Sequence, residues 1–161
     1  MEAALLEVME RHPEVYLKLV CVLDESGMEP VQNRIEKLPF MDWRQLPAVI
    51  AGLDINLMPL ENSLFHCCKS ENKWTEAALV KVPSVMSRNR EMEYVIENGK
   101  DGWMCNTKEE WVSALESLVT DEKARKAMGE AAHQKVMEHY LTENTGKDAM
   151  EELLCSESYT K

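Results

Sequence analysis

The chain has 161 residues, of which 45% are hydrophobic and 29% charged, and its formal net charge is −11. This length suits a single domain with a substantial core, and the composition is that of a globular protein rather than a disordered one. The acidic balance argues against nucleic-acid binding, which needs basic surface. No apolar run is long enough to span a bilayer, so the sequence predicts no transmembrane segment.

The five cysteines are scattered and odd in number, which does not suit a secreted disulfide framework. The N-terminal stretch MEAALLEVMERHPE is acidic and periodic, unlike a secretory signal. We therefore expect reduced thiols and a cytoplasmic location. Cys21 and Cys105 lie within apolar runs and are predicted to be small buried hydrophobic residues.

Hydrophobic periodicity and turn residues predict an alternation of helices and strands along the chain. The first half is predicted to contain a helix at 2–11, strands at 15–23 and 34–40, a short helix at 43–52 and a strand at 54–60. The second half is predicted to contain a helix at about 70–80, a strand at 83–87, a short helical piece around 91–97, a strand at 102–106, and helices from 107, from 121 and, more weakly, at 142–154. This order predicts an α/β fold with a doubly wound parallel sheet.

Two helices near the C-terminus carry clear packing signals. Thr107 and Glu110 have the spacing of a capping box, in which each side chain bonds the other residue's backbone. The apolar positions that follow form core-facing stripes, namely Trp111, Ala114, Leu115, Leu118 and Val119 in the first helix and Met128, Ala131, Ala132, Val136 and Tyr140 in the second.

The stretch SENKWTEAALV places lysines around a helix start, where the helix dipole disfavours cations. Ser70 is predicted to be the N-cap, with free amides near Glu71, Asn72 and Lys73. An anion such as a diphosphate would bind these amides and the ammonium groups of Lys69 and Lys73. The alternative is that both lysines are simply solvated, because a lysine at a helix start costs only about 0.3–1 kcal/mol.

Five segments in order, DINLMPL, KSENKWTEAALVKVP, Glu93–Gly102, WVSALESLV and MGEAA, resemble the donor-binding C-terminal half of retaining GT-B glycosyltransferases of the group 1 type. The resemblance covers about residues 15–155. It implies a Rossmann-like, nucleotide-sugar-binding domain spanning 1–161, with C-terminal helices at about 107–154. The implied reaction transfers a sugar from a nucleotide diphosphate sugar to an acceptor hydroxyl with retention, without a resident cofactor or metal.

The same resemblance assigns roles to individual positions. Glu76 stands where the family's ribose-binding glutamate stands, and the backbone near residues 71–73 would face the diphosphate. Cys68 occupies the place of a second, sugar-facing glutamate. This departure leaves His66, Glu61 or another loop group to contact the sugar, unless the sub-family handles the sugar differently.

The resemblance gives weaker indications at four further positions. Arg88 and Arg90 lie where many relatives have a glycine-rich segment, and they either face the donor phosphates or are solvated charges. Phe40 and Met41 are weak candidates for contact with the nucleobase. For these two residues, packing in the core or in a loop is the stronger interpretation.

The resemblance also implies parts that this chain lacks. These are a first strand, central in the sheet, with a phosphate-contacting segment, and the whole acceptor-binding N-terminal domain. Loss of a central strand would leave an apolar gap that invites aggregation or strand donation from a partner. We therefore expect a fragment or one half of a split enzyme, with little or no transferase activity alone.

Two other classes of function stay open. One is a non-catalytic nucleotide-binding or regulatory module. The other is a small α/β protein-interaction domain, although this class leaves Glu76 and the lysines unexplained. His66, Cys67 and Cys68 suggest a metal or redox site, but adjacent cysteines lack the C-x-x-C spacing that zinc favours. We expect packing or loop roles for these three residues.

Overall fold

The computed structural model describes residues 1–20, 27–61, 63, 65, 69–141, 143, 145 and 146. Cys21, His66, Cys67 and Cys68 lie outside these residues, as does most of the predicted helix at 142–154. Among the residues described, no helix combines the length and the apolar character needed to cross a membrane.

Helices and strands alternate in the predicted order. The strands are β1 (Leu17–Val20), β2 (Ile35–Leu38), β3 (Asn56–Met58), β4 (Ser84–Ser87) and β5 (Trp103–Cys105). The α-helices are α1 (Glu2–Arg11), α2 (Leu46–Ala51), α3 (Asn72–Leu79), α4 (Arg90–Val95), α5 (Lys108–Thr120) and α6 (Glu122–His139). Two 3-10 helices, Glu29–Arg34 and Trp43–Gln45, precede β2 and α2, so the predicted helix at 43–52 begins as a 3-10 turn.

The strands form two parallel sheets rather than one continuous sheet. β1 pairs with β2 in the register Leu17 to Ile35, and Lys18 of β1 forms an ion pair of 3.2 Å with Glu36 of β2. The second sheet has the order β3-β4-β5. We call the space between the unpaired edges of β1 and β3 the slot. It lies between the two sheets, where the resemblance predicts an apolar gap.

Ion pairs between α1 and α5 show that both sheets run in the same direction. Glu7 pairs with Lys108 at the start of α5, whereas Arg11 and His12, at the end of α1, pair with Glu116, two turns further along α5. The two helices are therefore parallel. Since α1 turns back into β1 and β5 turns back into α5, β1 and β5 are parallel as well, and all five strands share one direction.

Helices cover both faces of the sheets. One core cluster joins α1 and α5 to side chains of both sheets, and its fully buried members include Ala4, Val8, Met9, Val31 and Val85. A second cluster joins α3, α4 and α6 to the other face of β3-β4-β5, and includes Met58, Trp74, Met86, Met92, Met104 and Val136. The predicted α/β fold with helices around parallel strands is confirmed.

Local features of the C-terminal half also follow the sequence. The capping box of Thr107 and Glu110 is present, with Thr107 Oγ1 accepting from the Glu110 amide at 3.2 Å. Gly129, in the MGEAA segment, lets α6 approach the chain after α3 closely: a Cβ there would lie 2.1 Å from the Lys81 carbonyl oxygen. Cys105 is buried, as its apolar run predicts.

Candidate functional site

The carboxyl ends of β3, β4 and β5 lie at one edge of the sheet because the strands are parallel. The Ser87 hydroxyl at the end of β4 accepts a hydrogen bond from the Leu60 amide at 2.8 Å, which ties the ends of β3 and β4 together. The Arg88 amide donates to the Cys105 carbonyl at 2.9 Å and extends the pairing of β4 with β5. In doubly wound sheets this edge is where ligands bind.

The start of α3 differs from its prediction. Ser70 is not the N-cap: the helix begins at Asn72, Glu71 holds the N-cap position, and no side chain caps the helix. The Glu71 carbonyl accepts from the amides of Trp74 and Thr75 at 2.9 and 3.0 Å. The amides of Asn72 and Lys73 make no hydrogen bond to another described residue, so these donors are available to a ligand.

Interior packing fixes α3 in position. Trp74 is 0% exposed, and its Nε1 donates to the Asp101 carbonyl at 2.9 Å. The Asp101 carboxylate, in a residue 3% exposed, accepts from Lys135 Nζ at 2.5 Å and from the Glu97 amide at 2.9 Å. The Glu93–Gly102 segment therefore anchors α3 to α6, a role that its sequence pattern alone did not indicate.

A groove of about 1430 Å³ runs along the carboxyl edge and continues into the slot. Its polar lining at this edge comes from α3 and from the ends of β4 and β5, and comprises Lys73, Glu76, Ser87, Arg88, Asn89 and Asn106. Glu61, just beyond β3, also lines it. The side chains of Lys73 and Glu76 are exposed and form no ion pair or hydrogen bond with another described residue.

Arg88 and Arg90 occupy different environments. Arg88 lines the groove, and its guanidinium contacts Glu93 at 3.1 Å, so it is partly neutralised. Arg90 is exposed and is not among the described residues that line the groove. The structure thus brings only Arg88 to the same groove as Lys73 and Glu76.

Asn89 is a groove residue that sequence reasoning missed. Its Oδ1 accepts from the Met92 amide at 2.8 Å and caps α4, while its Nδ2 is buried without a hydrogen-bond partner among the described residues. An asparagine before a helix with acidic residues in its first turn is a recognisable cap signal. Whether Nδ2 has a hydrogen-bond partner depends on how β4 and the groove are arranged around it, and the sequence does not reveal that arrangement.

Four other predicted site residues do not line the groove. Lys69 is exposed, and its Nζ lies 4.9 Å from the ring centroid of Phe65; Ser70 is exposed too. Phe40 is 86% exposed, so of the two packing roles predicted for it, in the core or in a loop, the core role is wrong; Met41 beside it is half-buried. None of Lys69, Ser70, Phe40 and Met41 is among the described residues that line the groove.

Titratable groups near the groove have identifiable environments. Burial raises the pKa of the Cys105 thiol to about 11, so this groove residue is a neutral thiol at pH 7 and a poor nucleophile. Hydrogen bonds from the amides of Asn106 and Thr107 lower the pKa of Glu110 and keep the capping box ionised. Within the described ranges, no three His, Cys, Asp or Glu residues are arranged to hold a metal ion.

Solved structures share this fold. The C-terminal domain of a glycosyl transferase group 1 family protein from Francisella tularensis superposes with a TM-score of 0.68 at 15% identity, covering 86% of this chain and 76% of that one. Anabaena HepE, solved in complex with UDP and glucose, gives a TM-score of 0.71 at 15% identity over 94% of this chain and 44% of that protein. At these identities the likeness establishes the fold alone.

Sequence comparison gives the family. A D-inositol 3-phosphate glycosyltransferase from Corynebacterium jeikeium (strain K411) is 29% identical over 145 residues, a match covering 80% of this chain. The chain spans about a third of that relative, 33% of its length. The model of the glycosyl transferase-like family matches residues 2–153, nearly the whole chain. The chain therefore belongs to the glycosyl transferase-like family and has the Rossmann-like fold of GT-B C-terminal domains.

Proposed function

We propose that this chain is the donor-binding half of a glycosyltransferase that moves a sugar from a nucleotide diphosphate sugar to an acceptor hydroxyl with retention. Residues 1–161 form one nucleotide-sugar-binding unit in this proposal, and the acceptor-binding half lies in an N-terminal domain or a partner subunit. Alone, the chain binds nucleotide sugar without turnover. Its five thiols favour a reducing, cytoplasmic compartment.

The observation that carries this proposal is the uncapped start of α3. It lies in the same groove as two side chains of opposite charge, Lys73 and Glu76, that form no ion pair with a described residue. The free amides of Asn72 and Lys73 and the positive end of the helix dipole suit a diphosphate. The Lys73 ammonium, exposed in the groove, offsets phosphate charge. Glu71 belongs to this diphosphate region through its backbone, and Lys69 and Ser70 extend it outside the groove.

Glu76 is the proposed ribose ligand. It lies four residues after Asn72, about 6 Å along the helix, which is a suitable separation between a phosphate at the helix end and a ribose beside its second turn. A carboxylate accepts hydrogen bonds from two neighbouring hydroxyl groups. Lys73 is three residues away, yet the two side chains form no ion pair, so Glu76 keeps its acceptor sites.

Residues at the end of β4 complete the site. Asn89 Nδ2 supplies a buried donor without a described partner, and Arg88 supplies a cation that exchanges Glu93 for phosphate. Phe40 and Met41, after β2, are the candidates for the base. Stabilisation of the departing diphosphate by amides and cations is the catalytic contribution that this half makes.

The test is a titration of the chain with UDP, GDP and ADP, in which calorimetry and thermal unfolding measure the binding. One of the three should stabilise the chain by about 2.7 kcal/mol when the ligand is present at 100 times its Kd. Glu76→Ala should weaken the binding of both the nucleotide and its free nucleoside at least about tenfold, which corresponds to roughly 1.4 kcal/mol of binding free energy. Lys73→Met should weaken the binding of the nucleotide and leave the affinity for the nucleoside unchanged.

Glu109→Ala is the matched control, because Glu109 is an exposed helix glutamate on α5 that does not line the groove. A folded Glu76→Ala variant that binds as tightly as the parent would overturn the site assignment. Sugar transfer after addition of an acceptor-binding half distinguishes a transferase from a non-catalytic nucleotide-binding module.

A further inference from the structure

The ammonium group of Lys135, on α6, closes a network of contacts behind the start of α3. Its Nζ donates to the Asp101 carboxylate and to the Val95 carbonyl, both at 2.5 Å, and lies 5.9 Å from the centroid of the Trp74 ring. The side chain of Lys135 is 28% exposed and that of Asp101 only 4%. Removal of the lysine would therefore leave a buried carboxylate without its cation.

The network reaches the first turn of α3 through Trp74. The Asp101 carbonyl accepts from Trp74 Nε1 at 2.9 Å, so the residue whose side chain Lys135 binds is also the residue that holds the indole. Trp74 directly follows Asn72 and Lys73, whose amides make no hydrogen bond to another described residue. The position of these two amides therefore depends on Trp74 and, through Asp101, on Lys135.

Tyr140, just after α6, supports the same end of α3. Its ring packs edge-on against Trp74, with the two ring centroids 5.7 Å apart. Burial raises the pKa of the Tyr140 phenol, and the carboxylates of Glu71 and Asp101 raise this pKa further. The phenol is thus within electrostatic reach of both the N-cap of α3 and the carboxylate that Lys135 binds.

The other end of α3 has contacts of its own. The Ala78 carbonyl lies 3.1 Å from His133 Nδ1, and the Ala77 carbonyl accepts from the Val82 amide at 2.9 Å. Ala77 and Val82 also belong to a separate, third core cluster. Because these contacts do not involve Lys135, its loss should loosen the first turn of α3 more than the last turn.

We infer that Lys135 is a positioning residue for nucleotide binding, which holds the free amides of Asn72 and Lys73 where they can bind a diphosphate. Lys135 is not among the described residues that line the groove, so it acts through Asp101 and Trp74 rather than by touching the ligand. This role rests on the proposed function. It adds a residue of α6 to a site that is otherwise built from α3 and the ends of β4 and β5.

Hydrogen exchange without any ligand tests the positioning by itself. The amides of Trp74 and Thr75 both bond the Glu71 carbonyl, so their exchange rates report on the first turn of α3. Lys135→Met should speed the exchange of both amides at least about tenfold through local opening. The Val82 amide, beyond the other end of the helix, should exchange at nearly its original rate. An equal rise at both ends would indicate a loss of global stability and would overturn the inference.

Calorimetry with UDP, GDP and ADP, and with their free nucleosides, tests the consequence for binding. Lys135→Met should weaken the binding of the preferred nucleotide at least about tenfold and that of its nucleoside less than about threefold. The reason is that Glu76, the proposed ribose ligand, lies one turn beyond the amides of Asn72 and Lys73. Lys135→Arg should restore the affinity to within about threefold, since a guanidinium donates to two acceptors.

Lys126→Met is the matched control. Lys126 also lies on α6 and pairs with Glu122 at 2.6 Å, but its side chain is 76% exposed. This variant carries the same substitution and the same change of net charge as Lys135→Met, so any long-range electrostatic effect on an anionic ligand is common to both. Its nucleotide affinity and its exchange rates in α3 should equal those of the parent chain.

A second variant covers the case in which Lys135→Met does not fold. The double variant Asp101→Asn/Lys135→Met removes the unpaired carboxylate together with the lysine and keeps the backbone carbonyl that binds Trp74. We expect the same faster exchange at the first turn and the same loss of affinity for the nucleotide.

Three results separate this inference from the proposed function. Unchanged exchange at Trp74 and Thr75 in a folded Lys135 variant would overturn the inference whatever the chain binds. Faster exchange with undiminished nucleotide affinity would overturn it as well. A parent chain that binds none of the three nucleotides would instead overturn the proposed function, and the exchange rates would still decide whether Lys135 positions the first turn of α3.

Discussion

The helices α3 and α5 begin at the same edge of the molecule but are stabilised in different ways. α5 begins with a complete capping box, and Glu110 Oε2 accepts from the amides of Asn106 and Thr107 at 2.6 and 3.2 Å. α3 begins at Asn72, after an N-cap residue, Glu71, whose side chain forms no cap, and is held instead through Trp74 in its interior. The comparison indicates that α5 uses its first amides for stability, whereas α3 leaves its own available for a ligand.

The largest expected effect tests whether α3 is held from its interior. Trp74→Ala should lower the free energy of unfolding by about 3–5 kcal/mol, because it removes a fully buried indole and its hydrogen bond to the Asp101 carbonyl. Urea unfolding measures this loss. Trp43→Ala is the control, since Trp43 is 73% exposed, and it should change stability by less than about 0.5 kcal/mol. Similar losses in the two variants would contradict the anchoring role.

The next effect tests the cap of α5. Thr107→Ala should cost about 1 kcal/mol, since the Glu110 amide loses the hydroxyl that caps it. Because this cap lies on α5 and not on α3, the affinity for a nucleotide diphosphate should stay unchanged. Thermal unfolding and calorimetry on the same sample separate the two quantities. A large loss of affinity would mean that α5 takes part in binding.

A cap added to α3 should have the opposite pattern. Glu71→Ser places a hydroxyl at the N-cap position, where it can accept from an amide of the first turn once ψ of this residue, which is 5° in the parent, turns to the extended region that capping residues adopt. We expect a gain of about 0.5–1 kcal/mol in stability, with weaker binding of the nucleotide diphosphate because the cap competes for the same amides. A stabilised variant with undiminished affinity would show that these amides do not contact phosphate.

The smallest expected effect concerns the contact that aligns α1 with α5. The hydrogen bond to Glu116, at 2.8 Å, raises the pKa of His12, and the same bond is the main cause that lowers the pKa of Glu116. The raised histidine pKa stabilises the fold fully below about pH 6.5, and this contribution disappears as the pH rises through the folded-state pKa. The lowered pKa of Glu116 also stabilises the fold, but with the opposite pH dependence. This contribution is present above about pH 4.5 and is lost as the pH falls through the folded-state pKa.

His12→Gln should therefore reduce stability more at pH 6 than at pH 9, by less than about 1 kcal/mol because the pair is partly exposed. Arg11 and Glu14 also lie within ion-pair distance of this pair, so the control is Arg11→Gln, whose effect should not depend on pH across this range. A pH-independent effect of His12→Gln would show that His12 does not gain a proton in the folded pair.

Most of the fold could be predicted because its signals are local. Period-2 and period-3.6 patterns located the strands and helices within a few residues, and the capping box at Thr107 was correct at both of its bonds. The N-cap of α3 was wrong because Ser70 is a good cap by residue type, whereas the helix begins two residues later. Local propensity selects a residue type, whereas the position of α3 in the fold also depends on tertiary contacts such as the hydrogen bond from Trp74 to the Asp101 carbonyl.

The candidate site was predictable only in part, for the same reason. Lys73 and Glu76 share one helix, and helical spacing alone places them on one face. Arg88 and Asn89 come from another strand end, and only the parallel pairing of β3, β4 and β5 brings them to the same groove. The predicted roles of Lys69, Ser70, Phe40 and Met41 stay predictions, since these residues lie outside the groove lining.

The sequence by itself determined the alternation of elements, the acidic surface charge, the family and the two charged residues of α3, because each depends on neighbours in the chain. Tertiary structure alone decided the direction of the two sheets, the slot between β1 and β3, the buried contact of Asp101 with Lys135 and the free donor of Asn89. These features join residues that are far apart in sequence. They depend on which edges and faces remain uncovered after packing, and no local pattern encodes that outcome.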